Sequence, residues 1–283
     1  MKIGLVLEGG ASRTYFSCGV LDKLLEEEIW ADYLIGASAG IANGISYASR
    51  QYGRNLQIGT GYLHDKRYMG MRHLLDPHVR SYYNIPFVFE EIPEKWLPFD
   101  YDAFEAYPGE VVAVVTNMTT GQAEYRPVPR RDRRLREVVA SCALPLLFQP
   151  VDIDGVPYMD GGIADPVPAD QALAAGCDKL IVVVTRERGY RKVKEQGAGL
   201  AARKYRQYPA FVETLAHRVE IYNRSHDRLY QLEQEGKAFV IAPDSIDCKR
   251  TESRPEVIQA LYDQGYRAMA EQTSALRAYL QAE

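Results

Sequence analysis

The sequence contains no run of about 18 apolar residues, the length a helix needs to cross a bilayer, so no membrane span is expected. The stretch from Met1 to Glu8 is too short and ends in a charge, unlike a signal peptide. Cysteine is scarce. Cys18, Cys142, Cys177 and Cys248 form no C-x-x-C pair, and three sit in apolar surroundings, which argues against a disulfide framework and for reduced packing residues in a cytoplasmic protein. There is no H-E-x-x-H and no Cys/His cluster with ligand spacing, so no metal is expected. Positive charge is not in excess: 34 Lys and Arg stand against 38 Asp and Glu, net −4, with no basic tail, and a nucleic-acid partner is not expected. No internal repeat or low-complexity linker is present.

What is present fits a soluble α/β protein. The 283 residues suffice for one large domain with a substantial core. Ile3 to Leu7 is an apolar run of the kind that makes a buried parallel strand. The loop Gly9 to Thr14 follows, then Phe16, Val20, Leu21, Leu24 and Leu25 at helical spacing. Tyr33 to Ile35 reads as a second strand, leading through Gly36 to Gly40 into a helix ending near Ser49. This opening β-loop-α-β-loop-α is the pattern of a doubly wound sheet. Further strands are expected at Glu110 to Thr116, within Gly121 to Val128, on both sides of Asp154-Gly155, at Lys179 to Thr185 and at Ala238 to Ala242. Helices are expected at Leu135 to Cys142 with Asp132 as N-cap, at Ala169 to Ala175, over about Ala198 to Gln234, and at Pro255 to Gln281. The Tyr- and Pro-rich stretch from Tyr52 to Tyr107 is the least regular.

Three features lie where chemistry is done in such a sheet. Gly36-Ala37-Ser38-Ala39-Gly40 is a G-x-S-x-G turn between strand and helix, which presents a serine hydroxyl on a sharp bend above a helix N-terminus. Residue usage alone puts this pattern in roughly one chain of this length in ten, so its strand-to-helix context is what gives it weight. Glu8-Gly9-Gly10-Ala11-Ser12-Arg13-Thr14 also joins strand to helix, and its backbone N–H groups are suited to an anion, such as the oxyanion of acyl transfer. It lacks the Gly-Lys-Ser/Thr of a phosphate loop and the spacing of a dinucleotide fingerprint. Asp160-Gly161-Gly162 follows the strand ending in Tyr158-Met159 and holds a carboxylate at the rim of the sheet.

In this order, the three features resemble the patatin-like phospholipases. The block Ala140-Ser141-Cys142-Ala143-Leu144-Pro145, with Phe148, Pro150-Val151, Gly155 and Tyr158, resembles that family's third conserved region. The resemblance covers residues 3 to about 186. It implies a three-layer α/β/α sandwich on a mostly parallel sheet, as a single domain over 1–283, with an irregular aromatic insertion at about 52–107 and a helical C-terminal region at about 198–283. It implies hydrolysis of carboxylic esters of lipids through an acyl-serine, with Ser38 as nucleophile, Asp160 as base, and no cofactor. The oxyanion donors fall on Gly9, Gly10 and Ala11. Arg13 matches the basic residue of the loop. Gly36 and Gly40 shape the elbow, and Gly161 and Gly162 complete the Asp-Gly-Gly motif. Where the family has Gly, this chain has Ala11 and Thr14. A Cβ at Ala11 disfavours positive φ, so strain is expected there.

Two rivals stand beside this reading: a Ser-His-Asp esterase of the α/β-hydrolase type, and a non-catalytic lipid-binding protein of the same fold. Of the histidines His64, His73, His78, His217 and His226, the last two follow Asp160 in the order a triad needs, but both are expected on a helix surface. Arg130, Arg131, Arg133, Arg134 and Arg136 read as a solvated face, with peripheral contact at the inner membrane surface as the alternative. The aromatics from Tyr82 to Phe104 read as core packing, with an acyl pocket or lid as the alternative.

Overall fold

A computed structural model of the chain describes residues 1–194 and 197–282. In chain order the strands are β1 (Ile3–Leu7), β2 (Tyr33–Ala37), β3 (Glu110–Asn117), β4 (Ala123–Pro127), β5 (Val151–Ile153), β6 (Val156–Asp160), β7 (Lys179–Val183) and β8 (Ala238–Ile241). The helices are α1 (Tyr15–Glu26), α2 (Ala39–Ala48), α3 (Arg54–Gly61), α4 (Met71–Leu75), α5 (Tyr101–Ala106), α6 (Arg136–Ser141), α7 (Ala169–Ala174), α8 (Ala198–Lys204), α9 (Pro209–Ala216), α10 (Arg218–Gln234) and α11 (Pro255–Gln281). The strands form one sheet through the pairings β5–β6, β6–β3, β3–β2, β2–β1, β1–β7 and β7–β8, with β4 also paired to β3. β1, β2, β3, β7 and β8 run parallel, while β4, β5 and β6 add antiparallel pairs. The expected three-layer sandwich is therefore the fold.

The apolar strands serve both faces, as strands buried on two sides must. Leu5, Leu7, Leu34, Ala113, Ile181 and Val183 pack under α1, α2 and α11 with Phe16, Val20, Ile41, Met269 and Leu276. Their alternate neighbours Val6, Ile35, Val114, Leu180 and Val182 pack under α7 and α10 with Ala172, Leu229 and Leu232. Among the described residues no helix is long and apolar enough to cross a membrane.

The sequence reading needs correction in four places. Residues 52–107 are more regular than expected: they hold α3, α4, α5 and a π-helical stretch, Phe87–Trp96, in which Pro93 removes a donor. The expected long helix over 198–234 is three helices; the break before α9 falls at Pro209, which can start a helix but not continue one. α6 begins at Arg136, after Leu135 at φ 48°, so Asp132 is not its N-cap. Asp132 instead accepts the Arg134 N–H at 2.9 Å in the preceding turn. Only Arg136 of the basic run thus lies in the first helical turn. Arg130 binds the carbonyls of Tyr107 and Gly109, and Arg131 and Arg133 pair with Glu105 and Glu94.

Candidate active site

The sheet itself brings Ser38 and Asp160 together. β2 and β4 both pair with Val114 of β3, so they lie on opposite edges; β4 and β6 both pair with Val115, so they do too. β2 and β6 therefore share one edge of β3, end to end. Ala37 lies against Val114 and Asp160 against Val115. The residue after Ala37 is Ser38.

At Ser38 the chain turns from β2 into α2 with φ 54° and ψ −134°, a strained conformation for a residue with a Cβ. Its N–H donates to the Ser141 hydroxyl at 2.8 Å, which pins the bend to α6. Gly36 and Gly40 stand at the end of β2 and in the first turn of α2. A Cβ on Gly9 would lie 2.8 Å from the Ser38 Cβ, so the loop after β1 passes over the elbow only because Gly9 has no side chain.

Asp160 is 1% exposed. Its Oδ1 accepts the Gly162 N–H at 2.8 Å; Oδ2 is buried with no hydrogen-bond partner of good geometry among the described residues. Burial raises its pKa above the ordinary aspartate value, against the opposing pull of Arg218, of the Ser38 hydroxyl and of the Gly162 N–H. A Cβ on Gly161 would lie 2.0 Å from the Val114 carbonyl oxygen, which explains the glycine after Asp160.

The loop after β1 carries a second constellation. Glu8 is 2% exposed and accepts from the Thr185 N–H at 2.6 Å, the Thr185 hydroxyl at 3.1 Å and the Tyr222 hydroxyl at 2.8 Å, with His226 Nε2 at 3.3 Å. Burial alone would raise its pKa, but His226 and these bonds win and hold it at about 2. Thr185 also donates to the Gly9 carbonyl at 2.8 Å, so this buried charge anchors the loop. Gly9 and Gly10 lie outside any helix or strand, and among the described residues neither N–H finds an acceptor. Ala11 adopts φ 50°, the strain expected of it. Thr14 donates to the Ala11 carbonyl at 2.7 Å and accepts from the Asn43 amide at 2.8 Å, which holds the strained turn shut. Arg13 is 7% exposed and its Nε meets no hydrogen-bond partner among the described residues.

Two cavities meet at Ser38, Ala11 and Leu144. One is mainly apolar, lined by Tyr15, Leu63, Tyr68, Tyr83, Phe89 and Phe148. The insertion thus contributes Tyr83 and Phe89 to a cavity wall while burying Phe87 and Ile92 in a small core shared with Cys18 of α1 and Ile258 and Leu261 of α11. The other is polar and holds Glu8, Arg13, Asp160 and Arg218. Among the described residues neither cavity is lined by a histidine.

All the residues singled out around Ser38 and Asp160 converge here. Sequence reasoning missed Ser141, Glu8, Thr185, Tyr222 and His226 as a support. It also placed His226 on a helix surface, whereas His226 is 3% exposed against Glu8; only His217 is exposed. The signal available was Glu8 itself, a charge ending a buried strand, which must find a partner.

A family model described as patatin-like phospholipase matches residues 5–173, and one described as a domain of unknown function, DUF6363, matches residues 208–281. The chain is 27% identical over 197 residues to the uncharacterized protein YjjU of Escherichia coli, covering 65% of this chain and 52% of that protein. It is 27% identical over 205 residues to lysophospholipase NTE1 of Saccharomyces cerevisiae, covering 70% of this chain and 12% of that protein. The chain thus spans about half the length of the first and a small part of the second. VipD from Legionella pneumophila aligns with 95% of this chain and 67% of its own, at 14% identity and a TM-score of 0.44.

Proposed function

The chain belongs to the patatin-like phospholipase family, and on that premise we propose that it hydrolyses carboxylic esters of lipids through a Ser38–Asp160 dyad. The observation that carries the reading is the shared edge of β3, which sets a serine on a strained turn beside a buried carboxylate. Ser38 Oγ attacks the acyl carbonyl while Asp160 takes its proton. The amides of Gly9, Gly10 and Ala11 stabilise the oxyanion, helped by the N-terminus of α2. Asp160 returns the proton to the leaving alcohol. It then activates the water that cleaves the acyl-Ser38 ester and releases the fatty acid.

Several features support the assignment. The Gly9 and Gly10 N–H groups lack acceptors among the described residues, as donors awaiting an anion would. The apolar cavity at Ser38 suits an acyl chain. The absence of histidine from the lining of both cavities, among the described residues, favours the dyad over a triad. Arg13 supports the loop and its charge. We also read the chain as one domain, because β8 and α11 complete the same sheet and its helical cover. The enzyme meets its lipid at a membrane surface.

The test is a panel of phospholipids, lysophospholipids and short p-nitrophenyl esters, combined with a fluorophosphonate probe. Turnover and labelling lost together in Ser38→Ala are expected. Probe labelling of the folded Ser38→Ala variant, or no turnover on any ester, would overturn the reading.

A further inference from the structure

The polar cavity at Ser38 does not end at the dyad. It continues outward, past Ala11 and Leu144, into a bay of about 740 Å³. Arg13, Arg186, Lys192, Arg218, Lys249 and Arg250 line this bay, and among the described residues no carboxylate does. The protein as a whole has net charge −4, so this concentration of positive charge runs against its average composition. Two carboxylates lie on the inner side: Glu8, which is engaged by Thr185, Tyr222 and His226, and Asp160 of the dyad.

We propose, resting on the esterase reading above, that this bay binds the phosphate of the substrate's headgroup and selects lipids with a net anionic headgroup over zwitterionic ones. Arg13 is the inner contact. It is buried with Nε unpartnered among the described residues, and it feels both Arg186 and Arg250. Burial and those two cations disfavour its charge and outweigh the opposing pull of Glu8, a penalty that a bound phosphate relieves. The outer wall is fixed to the oxyanion loop: Ser12 donates its N–H to the Arg250 carbonyl at 3.3 Å, and its hydroxyl to the carbonyls of Arg250 at 3.0 Å and Glu252 at 2.7 Å. A phosphate held there is therefore kept in register with the acyl carbonyl over Gly9 and Gly10. Of the three aromatic rings on this side, Tyr190 and Tyr222 already carry cations, Arg186 at 4.5 Å and Lys192 at 5.5 Å, and Tyr83 stacks on Phe148 at 5.4 Å. The cationic end of phosphocholine meets like charge there. Apart from Arg13, every cation named lies beyond residue 173, outside the part matched by the patatin model. The outer part of the headgroup site thus lies in the part of the chain that the patatin match does not cover, and its inner contact, Arg13, lies within it.

The test compares kcat/KM for lysophosphatidic acid and lysophosphatidylcholine of one acyl length, presented as monomers, with a p-nitrophenyl ester as the neutral reference. The anionic substrate is expected to lead by roughly tenfold or more, because charge-assisted phosphate contacts are the strong ones. Arg186→Gln and Arg250→Gln together should cut that ratio by roughly tenfold, and 0.5 M salt should compress it. Arg250→Gln keeps the backbone carbonyl that Ser12 bonds, and a ratio of two substrates cancels any general loss of folded enzyme. Equal rates on both lysolipids, or a ratio unchanged by the substitutions, would overturn the proposal while leaving the esterase reading standing. So would inorganic phosphate that competes with the neutral ester while the lipid ratio stays flat, since the bay would then hold a free anion only. No turnover on any of the three esters overturns both readings.

Discussion

The backbone N–H of Ser38 donates to the hydroxyl of Ser141, 103 residues further along the chain, at 2.8 Å. That bond commits the amide of the elbow residue to holding the bend. On the proposed mechanism the oxyanion is met from the loop after β1, where the Gly9 and Gly10 amides have no acceptor among the described residues. The bond also opposes a strain: φ 54° at Ser38 is uphill for a residue with a Cβ.

Ser38→Ala and Ser38→Gly should separate function from strain. Both delete the hydroxyl and should abolish ester hydrolysis. Only glycine relaxes the turn, so Ser38→Gly should melt above Ser38→Ala, by about 1 kcal/mol of stability. Equal melting temperatures would show that the bend carries no strain, and turnover by either folded variant would remove Ser38 from the chemistry.

Asp160→Asn should reduce kcat by about 10²-fold or more, since a neutral amide cannot take the serine proton. The same change should raise the melting temperature at pH 7. Burial raises the folded-state pKa of Asp160, so its favourable contribution is full below the unfolded value and is lost as pH rises through the folded one. Above its folded pKa the ionised carboxylate works against the fold, and the amide does not. For the wild type, the acid limb of kcat/KM should lie above the ordinary aspartate value of about 3.9. His217→Asn, far out on the surface, should leave that profile in place; a collapse of turnover in this variant would restore a triad.

Ala11→Gly should be tolerated. Glycine removes roughly 1–2 kcal/mol of positive-φ strain and gives back about 0.4–1 kcal/mol through a freer unfolded chain. A small gain in stability is expected, with turnover equal or higher. A large fall in kcat would show that the Cβ, not the backbone, is what the loop uses.

Glu8 should set the acid stability of the fold. Its pKa falls from an ordinary 4.5 to about 2, so its stabilisation is present above pH 4.5 and is lost as the pH drops towards 2. The shift corresponds to something on the order of 3 kcal/mol. In denaturant titrations between pH 6 and pH 2, Glu8→Gln should be less stable than wild type at pH 6 and should show a flatter acid slope. Identical slopes would mean that the contacts with His226, Tyr222 and Thr185 do not favour the charged form.

Charge reversal at Arg133 and Arg134 should weaken sedimentation with anionic vesicles, more so at low salt. These two remain outside the first turn of α6, and Arg133 has only a loose pairing with Glu94 at 3.6 Å. Binding that ignores both mutation and salt would leave the run as a solvated face.

Most of the sheet was legible in the sequence because buried parallel strands must be apolar throughout and the turns between them carry their own chemistry. Asp154 and Gly155 take φ 55° and 82° in the hairpin that Asp-Gly foretold, and Gly176 ends α7 at φ 86°. Ser38 and Asp160 were legible because a bend and a close backbone approach demand glycines beside them. The support around Glu8 was not, since Thr185, Tyr222 and His226 come to it from 177 to 218 residues away and no local pattern marks them. α3 and the π-helical stretch escaped for a related reason: their apolar side chains, Leu56, Ile58, Phe87 and Ile92, answer to a smaller second core rather than to the main one.

The shared edge of β3 has a consequence for biosynthesis. Ser38 leaves the ribosome long before Asp160, and the two become neighbours only when β6 docks end to end with β2 against β3. A nascent chain that has made the first two strands and α2 carries a serine with no base and no closed sheet beneath it. On the proposed mechanism, ester cleavage therefore waits until Asp160 has been made and β6 has paired with β3, so a copy that stops short of it is chemically silent toward the membranes around it.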